Sequence, residues 1–150
     1  MVREIYEEGI ATGNATVETS APPWERWNSN HRPDCRLVAK DGDQVIGWTA
    51  LSPVSSRDVY AGVVEDSVYI AKCFRDTGVG KALLSSLVSA SESAGVWTLQ
   101  ASIPVENEAR ISLHSACGFR TVGTRERIGR LHGRWRDTPL MERRSDVANA

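Results

Sequence analysis

The stretch that decides the fold is Val68-Tyr-Ile-Ala-Lys-Cys-Phe-Arg-Asp-Thr-Gly-Val-Gly-Lys-Ala-Leu-Leu84. An apolar strand leads into a short loop that contains Gly78 and Gly80, and an amphipathic helix follows at once. Such a loop can direct several backbone N–H groups toward one point at the positive end of a helix, an arrangement that binds phosphate. The stretch therefore predicts a phosphate-binding loop, with a plain strand-to-helix turn as the alternative.

Two familiar phosphate motifs do not fit this loop. A P-loop needs GxxxxGK[ST], but Arg75 occupies the first glycine position and Ala82 the final hydroxyl position. A dinucleotide loop needs GxGxxG, but Leu83 occupies the third glycine position and no acidic residue ends the next strand near Ile103. The residues Arg75 to Gly80 instead match the pattern (R/Q)xxGx(G/A).

Composition limits the class of protein. The chain has 150 residues, which is enough for a single domain, 1–150, with its own core. The formal net charge of −1 leaves no basic excess for nucleic-acid binding, and the arginine-rich stretch 120–136 also holds Glu126, so we expect a solvated strand face there. The N-terminus lacks a signal-peptide core and no apolar run is long enough for a membrane span, so we expect no membrane partner.

The cysteines predict neither a disulfide framework nor a metal site. Cys35, Cys73 and Cys117 are odd in number and show no CxxC spacing. We expect three small core residues with free thiols, in a reducing cytoplasm, rather than a reactive nucleophile.

Hydrophobic periodicity predicts an α+β fold with a mixed, mostly antiparallel sheet. Asn107 is a plausible N-cap, and the stretch around His132 to Trp135 is expected to be a loop. The predicted helices are 2–11, a short one around Trp24 and Trp27, 79–94 and 107–117, and the predicted strands are 36–40, 45–51, 62–71, 97–103, 119–128 and 138–143.

The glycine loop resembles the pyrophosphate loop of the GCN5-related N-acetyltransferases (GNAT superfamily). A second unit, Asn107…Leu113…Gly118-Phe119, stands where that superfamily has one. Three further pieces, 5–16, 65–70 and Gly133-Arg-Trp-Arg-Asp137, are similar to the phosphinothricin acetyltransferases and the related methionine sulfone and sulfoximine acetyltransferases. The resemblance spans 5 to about 142 and implies the GNAT fold, a twisted sheet flanked by helices.

The same resemblance implies that the first strand of the fold is missing, because relatives begin about one strand earlier. We therefore expect either that the true start lies upstream or that a partner covers the unpaired sheet edge, and a lower stability than that of a chain extended by that strand.

The resemblance implies transfer of an acetyl group from acetyl-CoA to the α-amine of a small amino-acid analogue. Asn107 would bond the coenzyme arm, a role that is compatible with capping a helix. The other implied coenzyme-binding residues are Val68, Tyr69 and Ile70 for the pantetheine arm, and Arg75, Asp76, Thr77, Gly78, Val79, Gly80 and Lys81 for the pyrophosphate.

Three residues are candidates for catalysis. By resemblance Glu65 is the general base, although a solvent-facing strand glutamate is the alternative. His114 would be the acid that reprotonates the thiolate, or else a packed helix histidine. His132 would be a second proton carrier, or else a surface residue. The implied substrate-binding residues are Val17, Ser55, Ser56, Arg57, Tyr60, Glu65, Asp66 and Ser67.

This chain departs from the family at three positions. Ser55 stands where relatives carry a basic residue, so Arg57 is left to hold an anionic group and affinity for a phosphinate should fall. Val17 replaces a common phenylalanine, which predicts a wider pocket. Arg110 replaces a usual serine and would either reach a phosphate or project into water.

Two other functions stay open. A protein or peptide N-acetyltransferase would need an open groove, whereas the loops 52–60 and 131–137 resemble lids over a small pocket. A non-catalytic coenzyme-binding protein would fit the lost cation at Ser55. By resemblance we expect a homodimer.

Overall fold

The computed structural model describes residues 1–13 and 20–148. Its four helices and six strands follow the order expected for an α+β fold. Their bounds are α1 (Val2–Ala11), α2 (Trp24–Asn30), β1 (Leu37–Asp41), β2 (Gln44–Pro53), β3 (Val63–Ile70), α3 (Val79–Ser93), β4 (Thr98–Ser102), α4 (Glu108–Ala116), β5 (Arg120–Leu131) and β6 (Arg134–Arg144).

The six strands form one sheet in the order β1-β2-β3-β4-β6-β5. Among the strands of residues 1–13 and 20–148, only β3 and β4 run parallel, and every other neighbouring pair is antiparallel. The mixed, mostly antiparallel sheet predicted from the sequence is therefore confirmed. Within the described residues, β1 lies at one edge and pairs with β2 alone.

Two apolar clusters lie on opposite faces of the sheet. The larger packs α3 and α4 against one face and includes Val64, Val68 and Leu84. The smaller packs α1 and α2 against the other face and includes Trp48 and Tyr69. Because side chains alternate along a strand, β3 supplies Val64 and Val68 to one cluster and Tyr69 to the other.

The segment after α4 differs from the expected loop. Strands β5 and β6 extend to Leu131 and from Arg134, so His132 and Gly133 form a two-residue turn with φ of 50° and 77°. Two left-handed residues are what a tight hairpin turn requires. The length of β5 was underestimated because this strand is solvated along most of its length. It therefore lacks the apolar alternation that marks a half-buried strand. The predicted solvated face of this arginine-rich stretch is confirmed.

The cysteines are not all core residues. Cys73 is exposed, while Cys35 and Cys117 are half-buried and pack against the larger cluster. The expectation of three small core residues was therefore wrong for Cys73, which lies in a short 3₁₀ turn, 72–74, beside the glycine loop.

Candidate functional site

The central feature of the site is a split between β3 and β4. The two strands pair at three positions, the last being Glu65 with Gln100. Beyond Glu65 they diverge, so residues 66–70 keep β2 as a partner on one side and pair with no other strand of the described residues. A cavity of about 570 Å³ lies at this split. Its walls come from the end of β3, the glycine loop, the start of α4 and the end of α1.

The glycine loop forms one end of this cavity. Gly78 has φ of 87° and immediately precedes α3, which a residue with a side chain would do only with strain. The first amides of α3 have no acceptor within their own helix, as at any helix start. Arg75 and Lys81 add two cations to the lining, and Nε of Arg75 lies 3.4 Å from the Ile70 carbonyl oxygen, to which it donates. This end of the cavity is suited to an anion.

Some of the remaining residues of the glycine loop line the cavity, and others contact neighbouring parts of the chain. Asp76 and Gly80 line the cavity, while Thr77 and Val79 do not. The Thr77 hydroxyl donates to the Phe74 carbonyl instead. A Cβ at Gly80 would lie 3.3 Å from a methyl carbon of Leu113, so this glycine allows α3 and α4 to approach closely.

Helix α4 forms the opposite wall. The Asn107 side chain accepts a hydrogen bond from the Arg110 amide at 3.2 Å, which confirms its prediction as an N-cap, and Asn107 also lines the cavity. The Arg110 guanidinium lies 5.3 Å from the centre of the Tyr69 ring, and both residues line the cavity. Arg110 therefore faces this cavity rather than open water.

Glu65 occupies the point where the strands separate. Its Oε1 accepts hydrogen bonds from the Ser102 hydroxyl at 3.0 Å and from Nε2 of Gln100 at 3.4 Å. The side chain is half-buried and is not among the residues that line the large cavity. Sequence reasoning missed Ser102 and Gln100, because only the pairing of β3 with β4 reveals that they adjoin Glu65.

Asp66 and His114 form a fully buried pair. Nε2 of His114 lies 2.8 Å from Oδ1 of Asp66, and neither side chain has any exposed surface. Nδ1 of His114 lies 2.9 Å from the Arg110 carbonyl oxygen. Alternation along β3 turns the Asp66 side chain into the core, on the opposite face of the strand from Glu65, and its expected contact with substrate stays a prediction. His114 is a packed helix histidine and is not among the residues that line the large cavity.

The expected substrate loop leaves the sheet next to Glu65. Ser52 pairs with Glu65, so residues 54–60 begin two positions further along. Arg57 and Tyr60 are exposed, with the guanidinium 5.9 Å from the ring centre. The Arg57 amide donates to the Ser55 hydroxyl at 3.1 Å.

The other expected substrate residues are dispersed. Ser56 is exposed in the same loop. Ser67 is half-buried opposite Ala50. Val17 lies outside the described residues.

The stretch 131–137, which was expected to be a lid loop, belongs to the β5–β6 hairpin. This hairpin contacts the cavity wall. His132 is exposed at its turn and is not among the residues that line the large cavity. Arg136 is only 8% exposed, and its Nη1 lies 3.2 Å from Oε1 of Glu106, a cavity residue. Asp137 accepts a hydrogen bond from the Arg127 amide at 2.9 Å. Two residues of the Gly-Arg-Trp-x-Asp motif thus tie the hairpin to itself and to the cavity wall.

None of the helices in the described part of the chain has the length and apolarity that crossing a membrane requires. A split mixed sheet with a glycine loop at one end of the cavity is suited to an extended ligand with an anionic end. A family model described as Acetyltransferase (GNAT) family matches residues 2–119. The chain belongs to that family and is a phosphinothricin acetyltransferase-like enzyme.

Among relatives, a phosphinothricin N-acetyltransferase of Streptomyces coelicolor is 34% identical over 93% of this chain and 86% of its own length. An L-methionine sulfoximine/L-methionine sulfone acetyltransferase of Pseudomonas aeruginosa is 31% identical over 92% of this chain and 84% of its own length.

Solved structures agree with this assignment. A GNAT superfamily phosphinothricin acetyltransferase from Sinorhizobium meliloti, in complex with AcCoA, superimposes with a TM-score of 0.85 at 35% identity, covering 95% of this chain and 80% of that one. A ribosomal-protein-alanine N-acetyltransferase from Brucella melitensis superimposes with a TM-score of 0.86 at 30% identity, covering 95% and 91%. The GNAT fold predicted from the sequence is confirmed.

Proposed function

We propose that this enzyme transfers an acetyl group from acetyl-CoA to the α-amine of a small amino-acid analogue of the phosphinothricin, methionine sulfoximine or methionine sulfone type. The observation that carries the proposal is the split after Glu65, which leaves backbone groups of β3 without a strand partner beside a cavity that ends at the glycine loop. An extended chain can bind such an edge as an added strand would.

The residues present fit the coenzyme. The cavity of about 570 Å³ falls in the range of small-molecule sites. Arg75, Lys81 and the amides of 76–81 would hold the pyrophosphate, since they combine cations with a helix start. Backbone groups of Val68 and Ile70, on either side of Tyr69, would pair with the pantetheine arm, and the Asn107 side chain would bond it. When bound, acetyl-CoA supplies the thioester from which the acetyl group is taken.

Glu65 is the proposed general base. An ammonium group must lose a proton before its nitrogen can attack a thioester carbonyl, and a carboxylate beside the split can accept that proton directly or through one water. The Ser102 hydroxyl and the Gln100 amide hold the carboxylate in place. The backbone N–H groups of Val68 and Ile70, which point to the open side of β3, are available to donate to the carbonyl oxygen as negative charge develops.

The proton that returns to the sulfur is not assigned to either histidine. His114 is paired with Asp66 out of contact with the cavity, and His132 lies at the exposed turn of a hairpin. A thiol with a pKa of about 8.5 is mostly protonated at neutral pH, so water in an open cavity can return the proton to the thiolate.

We further propose that neutral sulfones and sulfoximines are better substrates than a phosphinate. Arg57 is the one cation of the stretch Ser55-Ser56-Arg57, and it is exposed beside Tyr60. A single exposed guanidinium can bind an anionic oxygen pair, but a second cation would be needed to neutralise a phosphinate and a carboxylate together.

The activity test is thiol release from acetyl-CoA in the presence of phosphinothricin, methionine sulfone and methionine sulfoximine. Glu65→Gln should lower kcat roughly 10²–10⁴-fold, because an amide cannot accept the proton. Acetyl-CoA affinity should stay unchanged. Glu126→Gln, on the solvated face of β5, is the matched control and should keep the wild-type rate. An unchanged rate for Glu65→Gln would remove Glu65 from its role, and no release with any of the three amines would refute the substrate class.

A protein N-acetyltransferase is the second candidate, favoured by the likeness to the Brucella melitensis structure. Peptides that begin with alanine, assayed in the same way, separate the two functions. Acetyl-CoA binding without turnover of amino acids or peptides would instead indicate a non-catalytic coenzyme-binding protein.

We also propose that two copies associate through the β5–β6 hairpin. Ile128 and Trp135 on this hairpin are each 56% exposed, and Val122 is 45% exposed. β5 is in addition an edge strand of 12 residues. A long exposed edge with apolar side chains favours pairing with another chain.

A further inference from the structure

The buried pair Asp66–His114 has no part in the chemistry proposed above, yet it joins the two walls of the cavity. Asp66 is the first residue of β3 after the last pairing with β4, at Glu65. His114 belongs to α4, and its neighbour Leu113 and the start of that helix line the opposite wall. The bond of 2.8 Å between these side chains therefore crosses the split at its base.

The hydrogen bonds of His114 determine how many protons the pair carries. A carbonyl oxygen can only accept, so Nδ1 must donate its hydrogen to the Arg110 carbonyl, 2.9 Å away. The contact between Nε2 and Oδ1 of Asp66 needs a second hydrogen, whether this is bound to nitrogen or to oxygen. The pair thus holds one proton more than a neutral histidine and a free carboxylate, and its net charge is zero.

A net charge of zero suits the surroundings of this pair. Oδ2 of Asp66 is buried and has no hydrogen-bond partner in the described structure. An isolated carboxylate there would be costly, whereas a carboxylate that shares a proton with the ring is not an uncompensated charge. The ring is also held by the edge of Phe119, with the ring centres 4.8 Å apart. The pair is consequently fixed in one geometry.

We propose that Asp66 and His114 are positioning residues that set the distance between β3 and α4, and so place the coenzyme arm relative to Glu65. The inference rests on the proposed binding of acetyl-CoA in this cavity. Asp66 directly follows Glu65 and lies two residues before Val68, so a fixed Asp66 side chain holds the backbone between the general base and the strand edge. A shift of about 1 Å in such an arrangement can lower turnover about 10²-fold.

The test compares the binding of whole acetyl-CoA with the binding of its nucleotide part alone. Adenosine 3′,5′-bisphosphate carries the nucleotide part without the arm, and it would bind at the glycine loop, away from the pair. Asp66→Ala should weaken acetyl-CoA binding about tenfold, which corresponds to about 1.4 kcal/mol. The same variant should weaken adenosine 3′,5′-bisphosphate binding less than about twofold. Asp66→Asn should recover part of the loss, because its amide can donate to Nε2 of a neutral ring.

Ser91→Ala is the matched control. It also removes a buried side-chain hydrogen bond, to the Val88 carbonyl at 2.7 Å, but lies in α3 away from the cavity. Both ligands should bind this variant as they bind the wild type. Equal weakening of the two ligands in Asp66→Ala would show a purely structural role, and no weakening would show no role. Either result overturns the proposal.

A second measurement needs no turnover and no ligand. The proton between Nε2 and Oδ1 should give a slowly exchanging resonance downfield of the backbone amides in the wild-type NMR spectrum, and this resonance should be absent from Asp66→Asn. Its absence from the wild type would refute the shared proton. If the wild type shows the resonance but binds neither ligand, the proposed function fails and the positioning role, which rests on it, fails with it.

Discussion

At the scale of single residues, Gly78 allows the left-handed backbone conformation that the glycine loop needs. Its φ of 87° lies in the left-handed region, and no atom lies within 4 Å of an added Cβ, so a side chain there would be strained only by the backbone. Gly78→Ala should lower the free energy of unfolding by about 1–2 kcal/mol. Gly123→Ala is the control, because Gly123 also has open space and has no positive φ. Urea unfolding measures both, and an equal stability for the two variants would contradict the argument.

Also at this scale, residue type predicted the place of a residue within its helix better than it predicted which distant residues a side chain contacts. Asn107 was predicted as an N-cap and accepts a bond from the Arg110 amide, because capping depends on residues within one turn. The pairing of Glu65 with Ser102 and of Asp66 with His114 joins residues 37 and 48 positions apart. No local pattern contains that information.

At the scale of elements, α2 and the residue that follows it should make stability depend on pH. The His31 ring stacks on Trp27, with the ring centres 4.2 Å apart, and its Nδ1 donates to the Trp27 carbonyl. Burial lowers the pKa of His31 below its usual value of 6.5, the hydrogen bond to the Trp27 carbonyl offsets part of this, and the charge of Arg36 lowers the pKa by a smaller amount.

A lowered folded-state pKa means that the unfolded chain takes up the proton first. The contribution of His31 to the free energy of unfolding is therefore complete above pH 6.5. It is lost as the pH falls through that value toward the folded-state pKa. The melting temperature should fall between about pH 7.5 and about pH 5.5, and it should fall less in His31→Gln, which does not titrate there. An identical pH dependence in both proteins would exclude His31 as the cause.

Elements with strong local signals were predicted well. Helices α1 and α3 were expected at 2–11 and 79–94 and are found at Val2–Ala11 and Val79–Ser93, because apolar spacing and a terminal glycine mark them. The β5–β6 hairpin was predicted too short, because its β5 strand is solvated along most of its length and carries no apolar alternation.

At the scale of the whole molecule, the proposed pairing of two copies is testable by sedimentation. A lysine at position 128 or 135 would place a charge in the paired hairpins, so Ile128→Lys and Trp135→Lys should shift the protein from dimer to monomer. Val147→Lys is the control, because Val147 is 71% exposed but lies outside the hairpin. A wild-type protein that sediments as a monomer, or hairpin variants that remain dimeric, would refute this interface.

Sequence by itself determined the glycine loop, the helices and the class of fold, since these depend on residue types within a few positions of one another. It also indicated the family, through motifs spread along the chain. Tertiary structure alone decided that β3 and β4 separate after Glu65, that Ser102 and Gln100 hold that carboxylate, and that Asp66 points to the opposite face from Glu65 and contacts His114. The physical reason is that strand register and side-chain alternation combine distant segments, and a shift of one residue in either would place a different side chain on each face of the sheet.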